Sequence, residues 1–340
     1  MPPTTIRKAL VHSYGDASHI TVVDADIAPP PPNHVQVRVI YSGFSGADIN
    51  MRLGRYPMQR KSPLTPGYCL VGTVEINGQG SSKFGHGDIV ACLSIYDAEA
   101  QLANMPEKYL IKVPVGIDLK QATALVLDWN TAYGMVMHSA QVTGGQRVFV
   151  HGMSGAVGYA IMTLCMLSGA EVYGTCSERN HAAMRDLGAT PFTYRNKNWM
   201  TEMNKLGGAH VVFDALGFES WDESWEILSD KDGGLLLGYG GNLPTLTGQP
   251  DRSVVWPTIK LMTRGLTCGL KKKGIFYYIT RDQQTFAPDL DALFQLCAQG
   301  KIRVPVKQIF DLEDIQEAHR SWGKGSGIGS TLIRIGQEPV

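Results

Sequence analysis

The chain has 340 residues, and at roughly 150 residues per domain that length suggests two domains. Its 31 Lys plus Arg balance 31 Asp plus Glu, a neutrality that excludes a phosphate-backbone binder built on clustered basic charge. Charged residues are 18% and hydrophobic residues 44%, enough apolar material for a core and no compositional bias toward disorder. The 38 glycines exceed the usual share of roughly 7%, which points to tight turns or glycine-lined ligand loops.

The first third reads as short strands in period two: Ala9-Leu10-Val11, Ile20 to Val23, Val35 to Ile40, Gly67 to Val74 and Asp88 to Ala91. Pro29 to Pro32 is a stiff connector, and Gly78, Gly80, Gly85 and Gly87 punctuate the turns. From about Lys120 apolar strands alternate with helical stretches, as a parallel sheet with crossover helices requires. Strands are predicted at Arg147 to His151, Glu171 to Thr175, Val211 to Asp214, Leu235 to Gly238, Leu266 to Leu270 and Thr331 to Ile335. Helices are predicted over Ala156 to Ser168 and near Leu290 to Gln299. The expected class is α/β, a doubly wound parallel sheet beside a β-rich domain.

Cys69, Cys92, Cys165, Cys176, Cys268 and Cys297 are widely spaced, and no Cys-x-x-Cys occurs, which argues against a structural zinc lobe. The segment after Arg7-Lys8 is broken by His12, Asp16, His19 and Asp24, so no secretory apolar region follows it. No apolar run approaches the roughly eighteen residues of a membrane span. A cytoplasmic protein with reduced thiols, acting on a small molecule without nucleic-acid or membrane partners, is the expectation.

The segment Val148-Phe149-Val150-His151-Gly152-Met153-Ser154-Gly155-Ala156-Val157-Gly158 closes a strand and opens a helix. Gly152 permits the tight turn, Gly155 lets backbone approach a pyrophosphate, and Gly158 lets the helix pack on the strand. The N–H groups of Ser154 to Val157, with the helix dipole, would hold that anion. After the second strand come Ser177, Glu178 and Arg179. Small hydroxyls and an arginine suit a 2′-phosphate, hence NADPH, whereas Glu178 would suit a ribose diol if the strand ended later.

These residues resemble the medium-chain dehydrogenase/reductase superfamily, in particular its zinc-free quinone oxidoreductase and enoyl reductase branches. The resemblance spans nearly the whole chain: Ser42-Gly43-Phe44-Ser45-Gly46-Ala47-Asp48-Ile49-Asn50, Gly54-Arg55-Tyr56-Pro57, Thr65-Pro66-Gly67-Tyr68, Thr131-Ala132-Tyr133, the glycine turn, Leu187-Gly188-Ala189, Val212 to Gly217 and Ile315 to Arg320. It implies a GroES-like catalytic domain over residues 1–119 and 276–340 around a Rossmann NADPH-binding domain over 120–275. Dimers are common among such relatives, so a homodimer is an open expectation.

Zinc-dependent members of the superfamily place Cys near Ser45, and His followed by Glu where Tyr68 and Cys69 stand, so the resemblance implies no metal here. It places Tyr56 in the active site, where a phenolic O–H would stabilise or protonate an enolate. Ser45 would add a weaker hydrogen bond to the same oxygen. By the same resemblance Thr131 lies near the nicotinamide, and Tyr194 near the adenosine 2′-phosphate. Leu216 and Tyr239 follow later strands where a parallel sheet meets its cofactor. The loop Lys271 to Phe276 is expected to approach the nicotinamide end through Phe276, with its lysines in a solvated turn. Ile95 to Pro114, and Gly240 to Trp256 with Trp221 and Trp225 upstream, depart from the family pattern and are expected to shape the substrate pocket.

The resemblance thus implies an NADPH-dependent, zinc-independent oxidoreductase that delivers hydride to a conjugated C=C or to a quinone. Two other readings stay open: an NADPH-binding regulatory or structural protein with little turnover, and a non-redox, cyclisation-type enzyme on the same scaffold.

Overall fold

A computed structural model describes residues 3–250, 252–266 and 271–339. It divides into two compact units, one comprising residues up to Asn130 with Thr280–Ser326 and the chain from Ser330 onward, the other Thr131–Ile279 with Gly327–Gly329.

In the first unit, Thr4–Val11 and Ile20–Ile27 form an antiparallel ribbon. A seven-stranded sheet runs in the order Val306–Asp311, Ser330–Arg334, His34–Phe44, Cys69–Asn77, Ile89–Cys92, Ile111–Lys112, and Leu102–Pro106 also pairs with His34–Phe44. His34–Phe44 places Val35, Val37 and Val39 at alternate positions, and all three are fully buried. Each such burial stabilises by roughly 1.5–3 kcal/mol relative to exposure. Around it pack Leu70, Val74, Phe84, Val90, Leu110 and Met105. A second cluster joins Val11, Ile20, Phe44 and Ile49 to Leu312, Ile315 and Ile333, tying the C-terminal segment to the N-terminal one.

The second unit holds six parallel strands in the order Thr190–Thr193, Glu171–Cys176, Arg147–His151, Val211–Asp214, Gly234–Gly238, Lys272–Phe276. Counted along the unit this is 3-2-1-4-5-6, the doubly wound Rossmann order. Its core gathers Phe149, Trp199, Val212, Trp221, Leu236 and Leu261.

The predicted strands Arg147–His151 and Val211–Asp214 form with the expected bounds, and Glu171–Cys176 runs one residue past Thr175. The helix expected near Leu290 begins earlier, at Phe286, and ends at Ala298. The first unit continues to Asn130, past the expected boundary at 119. The physical reason is Asp128, which is buried in a π-helical turn, Leu125–Trp129, and accepts a 2.6 Å bond from Ser330 Oγ.

Three expectations are corrected. Lys272–Phe276 is an edge strand parallel to Gly234–Gly238, not a loop, because Gly274 lets it lie against the helix Val255–Thr263: a Cβ there would sit 2.3 Å from the Leu261 carbonyl oxygen. Lys272 is buried and pairs with Asp230 at 2.8 Å, so the lysine triplet is not simply a solvated turn. Trp221 and Trp225 lie on the helix Glu219–Glu226, and Trp221 is a core side chain with no part in a loop. The strand expected over Leu266 to Leu270 falls, beyond Leu266, outside the described residues, and Leu266 itself is in no strand.

Burial pushes the Asp128 carboxyl up to about 6 from its ordinary 3.8. The unfolded chain therefore ionises this group first, and its contribution to stability falls as pH rises from about 4 to about 6. Asp128→Asn, which keeps an acceptor for Ser330, should lack that decline. Urea unfolding midpoints across this range should show the variant gaining roughly 2–3 kcal/mol relative to wild type from pH 4 to pH 7.

Candidate functional site

In the parallel-sheet unit, Arg147–His151 leads through Gly152 to the helix Ala156–Leu167. Gly152 has φ +69°, a left-handed conformation that side chains with a Cβ adopt at a cost. A Cβ on Gly158 would lie 2.2 Å from the Gly152 carbonyl oxygen, so helix and turn touch backbone to backbone. Gly155 is the helix N-cap and supplies no side-chain cap, while Ser154, Ala156 and Val157 are half-buried beside it. The first-turn N–H groups therefore have no side-chain acceptor from the cap residue, the condition under which a helix start holds a phosphate.

Buried polar groups brace this turn. Gly152 N–H donates to Thr175 Oγ1 at 3.2 Å, and Thr175 Oγ1 meets His151 Nδ1 at 3.3 Å. His151 Nε2 meets Ser224 Oγ at 3.0 Å, and the Ser224 and Ser220 hydroxyls donate to Asp214 Oδ2 at 2.8 and 2.7 Å. Burial lowers the His151 pKa and keeps the ring neutral. Asp214 Oδ1 accepts from Leu216 N–H at 2.7 Å, which fixes the loop after Val211–Asp214. Tyr239 follows the next strand, half-buried, with its N–H on the Asp214 carbonyl oxygen at 3.1 Å.

After Glu171–Cys176, Ser177 opens a 3₁₀ turn, Glu178–Asn180, in which Glu178 and Arg179 are both exposed. Tyr194 is 57% exposed, and Thr131 is buried in the short helix Asn130–Tyr133. Phe276 ends the strand Lys272–Phe276, half-buried, and its ring meets Trp221 edge-to-face at 5.9 Å. Two features had no visible sequence signal. Asn180 Nδ2 donates to Ser154 Oγ at 3.0 Å and to the Gly327 carbonyl oxygen at 3.3 Å, and Gly329 N–H donates to the Ser154 carbonyl oxygen at 3.1 Å. Gly327–Gly329 thus folds against the glycine turn from the far end of the sequence.

In the β-rich unit, Ser45 and Asp48 form a capping box at the start of the helix Gly46–Arg52. Ser45 Oγ accepts from Ala47 N–H at 3.1 Å and donates to Asp48 Oδ2 at 3.2 Å, while Ser45 N–H donates to the same Oδ2 at 2.9 Å. The single hydroxyl proton of Ser45 is therefore spent on Asp48. Asp48 Oδ1 accepts from Gly67 N–H at 3.1 Å, so one buried carboxylate holds both the helix start and the Gly67–Tyr68 turn. Burial raises its pKa to about 6.

Tyr56 follows this helix, with its N–H on Gln59 Oε1 at 2.8 Å. Its Oη bonds the Oη of Tyr68, and the two rings meet edge-to-face at 5.5 Å between centroids. Burial raises both phenol pKa values, so both stay protonated at neutral pH. Glu99, fully buried close by, has neither carboxyl oxygen hydrogen-bonded, and burial pushes its pKa well up, toward the neutral acid. The Ser-x-x-Asp spacing of the capping box could have revealed Asp48, whereas the sequence marks Tyr68 only by its place at a zinc-ligand position and does not show its bond to Tyr56 or the burial of Glu99.

The positions where zinc-dependent relatives carry ligands do not fit a zinc ion. Ser45 is committed to the cap, Tyr68 to Tyr56, and the Cys69 thiol, its pKa raised well up by burial, donates to the Thr123 carbonyl oxygen at 3.7 Å. Among the described residues no three His, Cys, Asp or Glu side chains converge as a metal site. Also among them, no helix is long and apolar enough to cross a membrane.

Comparison with known proteins agrees with the fold. Residues 31–115 match the alcohol dehydrogenase GroES-like domain, and residues 187–333 match the family described as zinc-binding dehydrogenase. The synaptic vesicle membrane protein VAT-1 homolog of Danio rerio is 27% identical, over 97% of this chain and 70% of its own length. Human quinone oxidoreductase is 26% identical, over 97% of this chain and 98% of its own. The crystal structure of Escherichia coli quinone oxidoreductase complexed with NADPH superposes with a TM-score of 0.81 at 22% identity, covering 97% of this chain and 100% of that one. With both domain models matched in order along one chain, and the Rossmann strand order present, the protein belongs to the medium-chain dehydrogenase/reductase superfamily and is similar to its quinone oxidoreductases.

Proposed function

We propose that this protein is an NADPH-dependent, zinc-independent reductase of α,β-unsaturated carbonyl compounds or quinones. The observation that carries the reading is the combination of a Rossmann glycine turn with a hydrogen-bonded phenol pair, Tyr56 and Tyr68, of which Tyr68 stands where zinc-dependent relatives place a metal ligand.

Gly152, Ser154, Gly155, Ala156 and Val157 would hold the pyrophosphate, since the left-handed φ of Gly152 and the lack of room for a Cβ at Gly158 suit a backbone cradle. Ser177 and Arg179 would take the 2′-phosphate through charge-assisted bonds, with Tyr194 beside them. Leu216 and Tyr239 follow the strands on the other side of the switch point, and Thr131 is assigned to the nicotinamide. When bound, NADPH supplies a hydride.

Tyr56 acts on the acceptor. Addition of hydride to a conjugated carbonyl compound or quinone places negative charge on its oxygen. A phenol whose pKa burial holds high keeps its proton at neutral pH and offers a hydrogen bond that strengthens as that charge develops. Asp48 and Ser45 act at one remove, fixing the helix that precedes Tyr56 and the turn that carries Tyr68. No step here requires a Lewis acid, because conjugation already makes the acceptor electron-poor.

Two measurements test this reading. Following NADPH absorbance with methyl vinyl ketone and para-benzoquinone as acceptors should show turnover, and Tyr56→Phe should lower kcat by roughly 100-fold with little change in NADPH affinity. Tight NADPH binding with no oxidation, indifferent to Tyr56→Phe, would instead favour a binding protein. For cofactor choice, titration should show NADPH bound more tightly than NADH, with Arg179→Ala weakening NADPH by roughly tenfold and leaving NADH unchanged. Equal affinity of the wild-type protein for the two nucleotides would overturn the phosphate assignment.

A further inference from the structure

We propose that Tyr68 is a positioning residue for Tyr56: its O–H donates to Tyr56 Oη and thereby turns the Tyr56 proton toward the acceptor oxygen. The inference rests on the role given to Tyr56 above.

Two phenols that share one hydrogen bond use one of their two protons in it. The other proton must point elsewhere, and which ring presents it depends on which ring can reach a further acceptor. Tyr68 is only 5% exposed, and among the described residues its hydroxyl has Tyr56 Oη as its hydrogen-bond partner. If Tyr68 were the acceptor, its own proton would be sealed from water with no oxygen to receive it, a costly state for a buried donor. Tyr56 is the less deeply buried residue of the two. The lower-energy arrangement has Tyr68 donating and Tyr56 presenting.

The backbone around Tyr68 is held as a fixed donor would need. Gly67 N–H lies on Asp48 Oδ1 at 3.1 Å, Ser94 Oγ donates to the Gly67 carbonyl oxygen at 2.8 Å, and Ile95 N–H donates to the Tyr68 carbonyl oxygen at 3.0 Å. Gly67 itself, at φ +109°, has no room for a side chain, because a Cβ would sit 2.5 Å from Glu99 N. The turn is therefore locked from both sides and the Tyr68 ring has one place to go. A hydroxyl that accepts a hydrogen bond is polarised into a better donor, so the Tyr68 bond strengthens the one Tyr56 offers. No proton leaves Tyr68 in this arrangement; it orients and polarises.

A double-mutant cycle separates this role from a merely structural one. Phenylalanine keeps the edge-to-face ring contact and deletes the hydroxyl. With methyl vinyl ketone and para-benzoquinone as acceptors, Tyr68→Phe should lower kcat by roughly tenfold while KM and NADPH affinity stay within about twofold. In a Tyr56→Phe background the same substitution should have no further effect, because the group it orients is gone. Losses that multiply in the double variant would mean that Tyr68 acts through the fold and would overturn the inference. A Tyr68→Phe enzyme as fast as wild type, beside a slow Tyr56→Phe enzyme, would overturn it while leaving the role of Tyr56 standing. An enzyme indifferent to Tyr56→Phe, or one that oxidises NADPH with neither acceptor, would remove both.

Discussion

The carboxylate of Asp48 is the fixed point of the β-rich unit. It is completely buried, yet it accepts three hydrogen bonds, two from Ser45 and one from Gly67 N–H. Burial of an unpaired carboxylate would be prohibitive, and these donors offset much of the cost. The consequence is geometric. The helix that leads to Tyr56 and the turn that carries Tyr68 are tied to the same two oxygen atoms, so the separation of the phenols is set by a group that touches neither hydroxyl. Ser45 contributes to this through both its N–H and its hydroxyl.

The Rossmann unit solves its own problem by steric exclusion. Gly158 and Gly152 meet where no side chain fits, which draws the helix start down onto the strand end and leaves its first N–H groups turned to the same side. A buried relay of Thr175, His151, Ser224 and Asp214 then links that turn to the loop after Val211–Asp214. Every member is satisfied, which is the condition for a buried polar network to rigidify a site instead of weakening it. A neutral His151 serves both neighbours without bringing a charge into the core.

Much of this architecture was legible in the residues. The strands Arg147–His151 and Val211–Asp214 announce themselves because both faces are covered and nearly every position is apolar. The glycine turn announces itself because Gly152 takes a left-handed φ and Gly158 has no room for a Cβ. The edge strand Lys272–Phe276 did not, since three lysines followed by glycine read as a turn until Gly274 is seen packing against Leu261. Trp221 and Trp225 were read with the loops that depart from the family pattern, whereas both lie on the helix Glu219–Glu226, Trp221 in the core and Trp225 packed against it.

The sequence by itself determined the superfamily, the two-domain plan, the glycine turn between strand and helix, and the presence of Ser45, Tyr68 and Cys69 at the positions where the resemblance puts zinc ligands. Those are properties of residue type and local spacing, which chain connectivity preserves. Tertiary structure alone decided that Ser45 spends its proton on Asp48, that Tyr68 bonds Tyr56, and that Gly327–Gly329 closes on Ser154. The last joins residues more than a hundred positions apart, and the Tyr56–Tyr68 bond and the side chain to which Ser45 gives its only proton are equally questions of direction in space. A hydrogen bond depends on where a donor points, and in this protein that is fixed by the packing of strands and turns around it, which the order of residues does not display.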